Sequence, residues 1–242
     1  LQLNAASISS WQVWQRARAR LAGVDDRAPA RTAGVLSHVR PVKRYIRAMN
    51  KGRLEAFSDG VIAILITIMV LELKVPHSAD PHALREMLPV FLAYVLSFVY
   101  LGIYWNNHHH MLQVTRRVSG RVLWANLHLL FWLSLVPFVT AWMGENDNAP
   151  FPTACYGAVL LLAAVAYLIL QRSIIAAEGE GSRLAAAVGR DIKGKLSAVM
   201  YAASIPLSFV HVFIADAIYV MVAVMWLVPD PRLARRMQQE GA

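Results

Sequence analysis

The chain is poor in charge. Only 16% of its 242 residues are Asp, Glu, Lys or Arg, against 57% hydrophobic, and the mean hydropathy is +0.43. A soluble domain carries about a quarter charged residues, so this composition excludes an ordinary soluble enzyme and a disordered chain; it implies a polytopic membrane protein. Cysteine is nearly absent. The single Cys155, set in an apolar stretch, excludes an intramolecular disulfide and any multi-cysteine metal site. Residues 1–48 lack an apolar run of signal-peptide length. Also missing are a Thr-Val-Gly-Tyr-Gly filter, a phosphate loop, a Gly-x-Ser-x-Gly elbow and a His-Glu-x-x-His pair. No inverted repeat relates the first three apolar segments to the rest.

What charge there is lies unevenly. Of a net +9, residues 1–48 contribute +7, from nine Lys/Arg against Asp25 and Asp26. A basic pI near 10 elsewhere suggests nucleic acid. Here the excess sits in one leader and the remainder is apolar, so no nucleic-acid partner is expected. Within the leader, Trp11, Trp14, Arg16, Arg18, Arg20 and Leu21 fit a short basic interfacial helix. The competing reading is a poorly ordered tail, or sequence upstream of a natural start at Met49, since Gly23, Pro29, Gly34 and Pro41 interrupt any long helix.

A bilayer crossing needs roughly 20 mainly apolar residues. Phe57–Val75, ended by Pro76, is the first candidate; Leu84–Tyr104, Val122–Met143 and Thr153–Leu170 follow. The last apolar stretch, Leu196–Val228, is interrupted by Pro206, His211 and Asp216. It reads as two short helices, 194–210 and 212–228, with one bent helix as the alternative. Loop charges favour two helices. Arg40, Lys43, Arg44, Arg47, Lys51 and Arg53 precede the first span. Arg116, Arg117 and Arg121 follow the second, and Arg172, Arg183, Arg190, Lys193 and Lys195 the fourth. Arg232, Arg235 and Arg236 end the chain. The opposite connections offer only Lys74 and Arg85. Six spans with both termini cytoplasmic satisfy this bias; five would put the Arg-rich tail outside.

Several polar residues sit where lipid would penalise them. Asp59 lies at the start of the first span. It either forms a polar knot with Arg53, Glu55 and Ser58 or serves as a helix-start residue favoured by the dipole. Beyond it, Gly60, Ile64, Thr67 or Ile68, and Leu71 share one helical face. Such a stripe meets lipid, a neighbouring helix or a pore. The second span ends in Trp105-Asn-Asn107-His108-His109-His110. Adjacent helical residues diverge by about 100°, so these histidines suit a polar interfacial cluster better than chelation; Asn126 and His128 lie at the same end of the third span. Asp216 is either a residue of the last turn or a proton or cation relay. Trp105, Trp124, Trp142 and Trp226 read as interface anchors.

The run Arg53-Leu-Glu-Ala-Phe57-Ser58-Asp59-Gly60 resembles the Arg-x-x-x-Phe-Ser-Asp signature of the transmembrane protein 175 family, endosomal and lysosomal potassium channels with short prokaryotic relatives. Trp105-x-Asn107-His108-His109 and Trp226-x-x-Pro229-Asp230-x-Arg232 resemble two further motifs of that family. The resemblance spans about 49–236, leaving the basic leader 1–48 and the tail 237–242 outside. It implies an all-α, six-helix subunit of a homotetramer in a prokaryotic inner or plasma membrane. Helix 1 would line a central pore for K+, with no cofactor, no metal and no enzymatic activity. It further implies that Ile64, Ile68 and Leu71, with the Thr67 hydroxyl beside them, form the constriction. Arg53, Phe57, Ser58 and Asp59 would hold helix 1 in place, with Asn107, His108 and His109 as partners. The alternative is a proton- or cation-coupled carrier using Asp59 or Asp216.

Overall fold

The computed structural model describes residues 42–76, 80–189 and 191–227. The chain clusters into two units, 1–43 and 44–242, and the fold is that of the second. The leader up to residue 41, the C-terminal motif beyond Trp226 and the tail 237–242 lie outside the described residues.

Every regular element among the described residues is a helix. They are α1 (Val42–Ile68), α2 (Pro81–Glu86), α3 (Leu88–Val114), α4 (Gly120–Ser134), α5 (Val136–Glu145), α6 (Pro150–Glu178), α7 (Arg183–Val188), α8 (Ile192–Val210) and α9 (Val212–Leu227). Four stretches are long and apolar enough to cross a membrane: Lys51–Glu72, Leu88–Val114, Gly120–Glu145 and Pro150–Glu178. The chain is thus a polytopic, all-helical membrane protein.

Helices occupy each of the expected apolar stretches, with shifted bounds. The first does not remain α-helical to Val75. It tightens after Ile68 into a 3₁₀ turn, Met69–Glu72, where Leu73 N–H bonds to the Val70 carbonyl at 3.2 Å; such tightening satisfies carbonyls at a helix end. The second runs on to Val114, so the three histidines are helical. The third is broken at Leu135, because Pro137 has no N–H to offer the preceding turn. In the last apolar stretch, Pro206 is carried inside α8 and Asp216 inside α9. Only His211, extended at φ −162° and ψ 118°, interrupts it. That break makes an antiparallel hairpin. Trp226 Nε1–H bonds to Ser197 Oγ at 2.8 Å and Ser204 Oγ–H to Tyr219 Oη at 3.2 Å, rungs that straddle His211.

Polar ties mark two opposite ends of the bundle. At one, Lys51 reaches the Gln113 carbonyl (2.9 Å) and Arg116 N–H reaches Glu178 Oε1 (2.7 Å). At the other, Lys74 pairs with Glu145 (2.6 Å) and Asn148 Nδ2–H bonds to Asp216 Oδ2 (2.8 Å). Successive connections therefore alternate ends, as the loop charges require.

The core gathers around α6, which packs on α4, α5, α8 and α9 and buries Tyr156, Leu160, Ala163 and Leu170 completely. Its hydroxyls are paired, as a water-free interior demands. Ser97 bonds with Tyr156 (2.9 Å) and Thr140 (2.7 Å), Tyr100 donates to the Tyr219 carbonyl (2.6 Å), and Tyr219 donates to the Thr153 carbonyl (2.9 Å). Gly157 permits this approach. A Cβ there would collide with Tyr219 Oη and stand 2.9 Å from Ser204 Oγ.

Candidate functional site

Helix α1 has two unlike faces. Leu54, Ser58, Ile62, Leu65 and Met69 recur at three- and four-residue steps and are buried against the rest of the chain. The opposite stripe carries Phe57, Gly60, Ile64, Thr67, Ile68 and Leu71, and it is open. Ile64 is 56% exposed, Ile68 40% and Leu71 78%, whereas Ile62 is 0% and Leu65 8%. Leu71 belongs to the 3₁₀ turn and still continues the stripe. Thr67 donates its hydroxyl to its own helix, to the Ile64 carbonyl at 2.9 Å and the Ala63 carbonyl at 3.1 Å, which leaves oxygen lone pairs facing outward. A Cβ on Gly60 would meet nothing within 4 Å.

Two sets of polar contacts hold this helix at its basic end. The first is a ladder along α3: Lys51 to the Gln113 carbonyl, Glu55 to His109 Nδ1 (3.5 Å), and Asp59 Oδ1 accepting from Trp105 Nε1 (3.1 Å). Each step of four residues up α1 is matched by a step of four back along α3, the register of antiparallel helices. Gln113 Nε2, which can only donate, lies 2.8 Å from His109 Nε2. The Trp105 ring stacks on His109 at 5.8 Å and 19°.

The second set is a buried, directed chain. His108 Nε2–H donates to Asn126 Oδ1 (2.7 Å), Asn126 Nδ2–H to Ser58 Oγ (2.9 Å), and Ser58 Oγ–H to the Leu54 carbonyl (2.8 Å). It ties α1, α3 and α4 into one unit. In a membrane interior such bonds average about 0.6 kcal/mol and reach about 1.7, so several together are needed to fix a helix.

The structure engages Ser58, Asp59, His108 and His109 in the two sets of contacts that hold α1, and it does not bring the rest of the expected support with them. Arg53 is exposed, with no bonded partner among the described residues. Asp59 meets Trp105 and not the histidines, so that tryptophan is a helix contact as well as an end-of-span residue. Asn107 does not reach α1. Its amide bonds back to the Ile103 carbonyl (2.8 Å), and its own carbonyl accepts from Tyr167 (3.3 Å). Of the two residues expected from the third span, Asn126 joins. His128 is exposed and pairs with Trp132 on its own helix (2.9 Å). The two differ by about 200° around the helix, and only packing decides which one faces in. Asp216 lies in the second turn of α9, held by Asn148 at the end opposite Asp59. Sequence reasoning missed the Trp105 contact; a tryptophan one helical turn before His109 was the available signal.

Comparison with known proteins places these features. A family profile described as "Endosomal/lysosomal potassium channel TMEM175" matches residues 53–137, the segment holding the buried chain and all of the ladder but Lys51. The chain is 52% identical over 191 residues to a potassium channel of a Chryseobacterium species, covering 79% of this chain and 100% of that one. It is 40% identical over 127 residues to a potassium channel of Streptomyces collinus, covering 49% of this chain and 62% of that protein. Among solved structures, the crystal structure of a lysosomal potassium-selective channel TMEM175 homolog from Chamaesiphon minutus matches with a TM-score of 0.63 at 28% identity, over 73% of this chain and 96% of that one.

Proposed function

The chain belongs to the TMEM175 family, and from that membership we infer that it is a potassium channel passing K+ down its gradient across a membrane. The relatives are named as ion channels, not enzymes. The single observation that carries the reading in this molecule is the open stripe of α1, an apolar face left uncovered on a helix that polar contacts hold firmly from behind.

We propose that four copies set these stripes around a common axis. Cyclic symmetry then turns one residue per subunit into a ring. Ile64, Ile68 and Leu71 narrow the passage and Thr67 adds an oxygen between them. Rings of such side chains close a pore by expelling water and open it when the helices turn or part. Ser58, Asp59, His108 and His109 fix each α1 against its own subunit. Arg53 and Phe57, exposed at the basic end, meet the adjoining copy. Six crossings with both termini cytoplasmic accommodate the alternating ends and the basic loops, in a bacterial inner membrane. Residues 49–236 form the channel domain; the leader 1–48 and the tail 237–242 take no part in conduction.

The test is flux from liposomes driven by a potassium gradient alone, with sodium as comparator. Selective potassium flux without a co-ion supports the channel. Flux that requires a proton or sodium gradient, and loses that coupling in Asp59→Asn or Asp216→Asn, identifies a carrier instead. Deleting residues 1–48 should leave the flux unchanged.

A further inference from the structure

At the basic end of the bundle, away from α1, a cavity opens between α3, α6, α8 and α9. Its walls are Tyr100, Tyr104, Tyr167, Tyr201 and Trp226, and Asp191 stands in its lining. The rings are not stacked flat. Tyr100 meets Tyr201 edge to face (6.2 Å, 61°) and Tyr104 meets Tyr167 likewise (6.2 Å, 65°), so adjacent walls stand steeply to one another. At about 40 Å³ the space holds a small compact group and not only one water.

The polar atoms of these walls narrow the chemistry of an occupant. Trp226 Nε1–H is spent on Ser197 Oγ, Tyr100 O–H on the Tyr219 carbonyl and Tyr167 O–H on the Asn107 carbonyl. Three of the five aromatic donors thus bond elsewhere. No Lys or Arg lines it; Lys193 and Lys195 of α8 are engaged in interactions of their own. The one formal charge in the lining is the Asp191 carboxylate. It is folded over the first turn of α8, with Oδ1 accepting from Gly194 N–H at 3.2 Å. That fold needs a glycine, because a Cβ on Gly194 would stand 2.7 and 2.8 Å from the two carboxylate oxygens. A box of aromatic rings with one carboxylate and few free donors repels an anion. It suits a cation with no N–H to satisfy, held by ring quadrupoles and one negative charge.

We propose that this cavity binds a quaternary methylammonium group, such as the trimethylammonium of choline. That group has two sources, a free solute and a choline lipid headgroup, and both offer the same chemistry. The site is separate from the proposed conduction path and does not depend on it.

Calorimetric titration of the full chain in maltoside detergent with choline tests this, with 3,3-dimethylbutan-1-ol as a neutral counterpart of the same shape. Saturable choline binding is expected, weakened about tenfold by Trp226→Leu and by Asp191→Asn, and about tenfold weaker for the alcohol. Asp191→Asn keeps a residue that caps helices and tolerates this backbone conformation, so it reports on charge even if the tryptophan variant folds poorly. Repeating the titration in phosphatidylcholine and phosphatidylglycerol nanodiscs separates the sources. Choline binding lost only in phosphatidylcholine assigns the site to a lipid headgroup, and equal binding in both assigns it to the free cation. No saturable choline binding, equal affinity for the alcohol, or binding unchanged in both variants, as a cation lodged in a pore would show, overturns the proposal.

Discussion

Helices α1 and α6 are nearly the same to a hydropathy scale and opposite in the fold. The apolar stretch of α1 has a mean hydropathy of 2.1 and that of α6 has 2.2, yet 28% of the first is buried by its own chain and 56% of the second. Their glycines repeat the contrast. At Gly157 a side chain would strike Tyr219 and Ser204, while at Gly60 it would meet nothing. One helix is the hub of a subunit. The other is fastened along one face and bare on the other, the face that the proposed assembly would cover.

The largest effect should come from spoiling the hub. Gly157→Val overpacks the contact between α6, α8 and α9 and should cost about 1–3 kcal/mol, seen as loss of folded, monodisperse protein. Gly60→Ala should leave yield and melting temperature as they are and change only assembly or flux. If Gly60→Ala unfolds the subunit, the contrast between the helices is false.

Next comes Ile64→Asn. A polar amide on the open stripe should wet the constriction and remove most of the preference for potassium over sodium in liposome flux, with thermal stability retained. An unchanged permeability ratio would take Ile64 out of the pore.

A smaller loss should follow Asn126→Leu, which strands Ser58 and His108 behind α1. The expected cost is about 1–2 kcal/mol by denaturation in detergent. Stability equal to the parent chain would mean that the buried chain of hydrogen bonds does not hold the helix.

The smallest effect belongs to the outer end. The hydrogen bond and charge of Glu145 raise the pKa of Lys74 above the ordinary lysine value. A raised cation pKa means that the pair's contribution is complete below the unfolded value. It fades only as pH climbs through the higher folded one, well into the alkaline range. The lysine is fully exposed, and surface pairs contribute little. Lys74→Ala should therefore leave the melting temperature unchanged from pH 6 to 8. A clear drop there would show that α1 is also anchored at its far end.

Much of this was legible beforehand. The four long spans follow from apolar run length, and the hairpin follows from loop charge, because those quantities are sums over residues. The stripe of Ile64, Ile68 and Leu71 was visible as a periodicity, and the Phe-Ser-Asp run as a motif. The motif did not reveal side-chain direction at Arg53 and Asn107, because it places residues only along the chain; the first is exposed and the second bonds to its own helix. The break at Leu135 was passed over because an apolar count is blind to the single N–H that Pro137 lacks.

By itself, the sequence determined that this chain is a polytopic membrane protein and where its long apolar runs and basic loops lie, since hydrophobicity and charge act residue by residue. Only the tertiary structure decided which of two equally greasy helices is covered. It also decided that Asn126 rather than His128 turns toward Ser58, and that five aromatic side chains from four helices meet around Asp191. Burial and hydrogen bonding depend on neighbours distant in the chain, and their direction is fixed only when the helices pack.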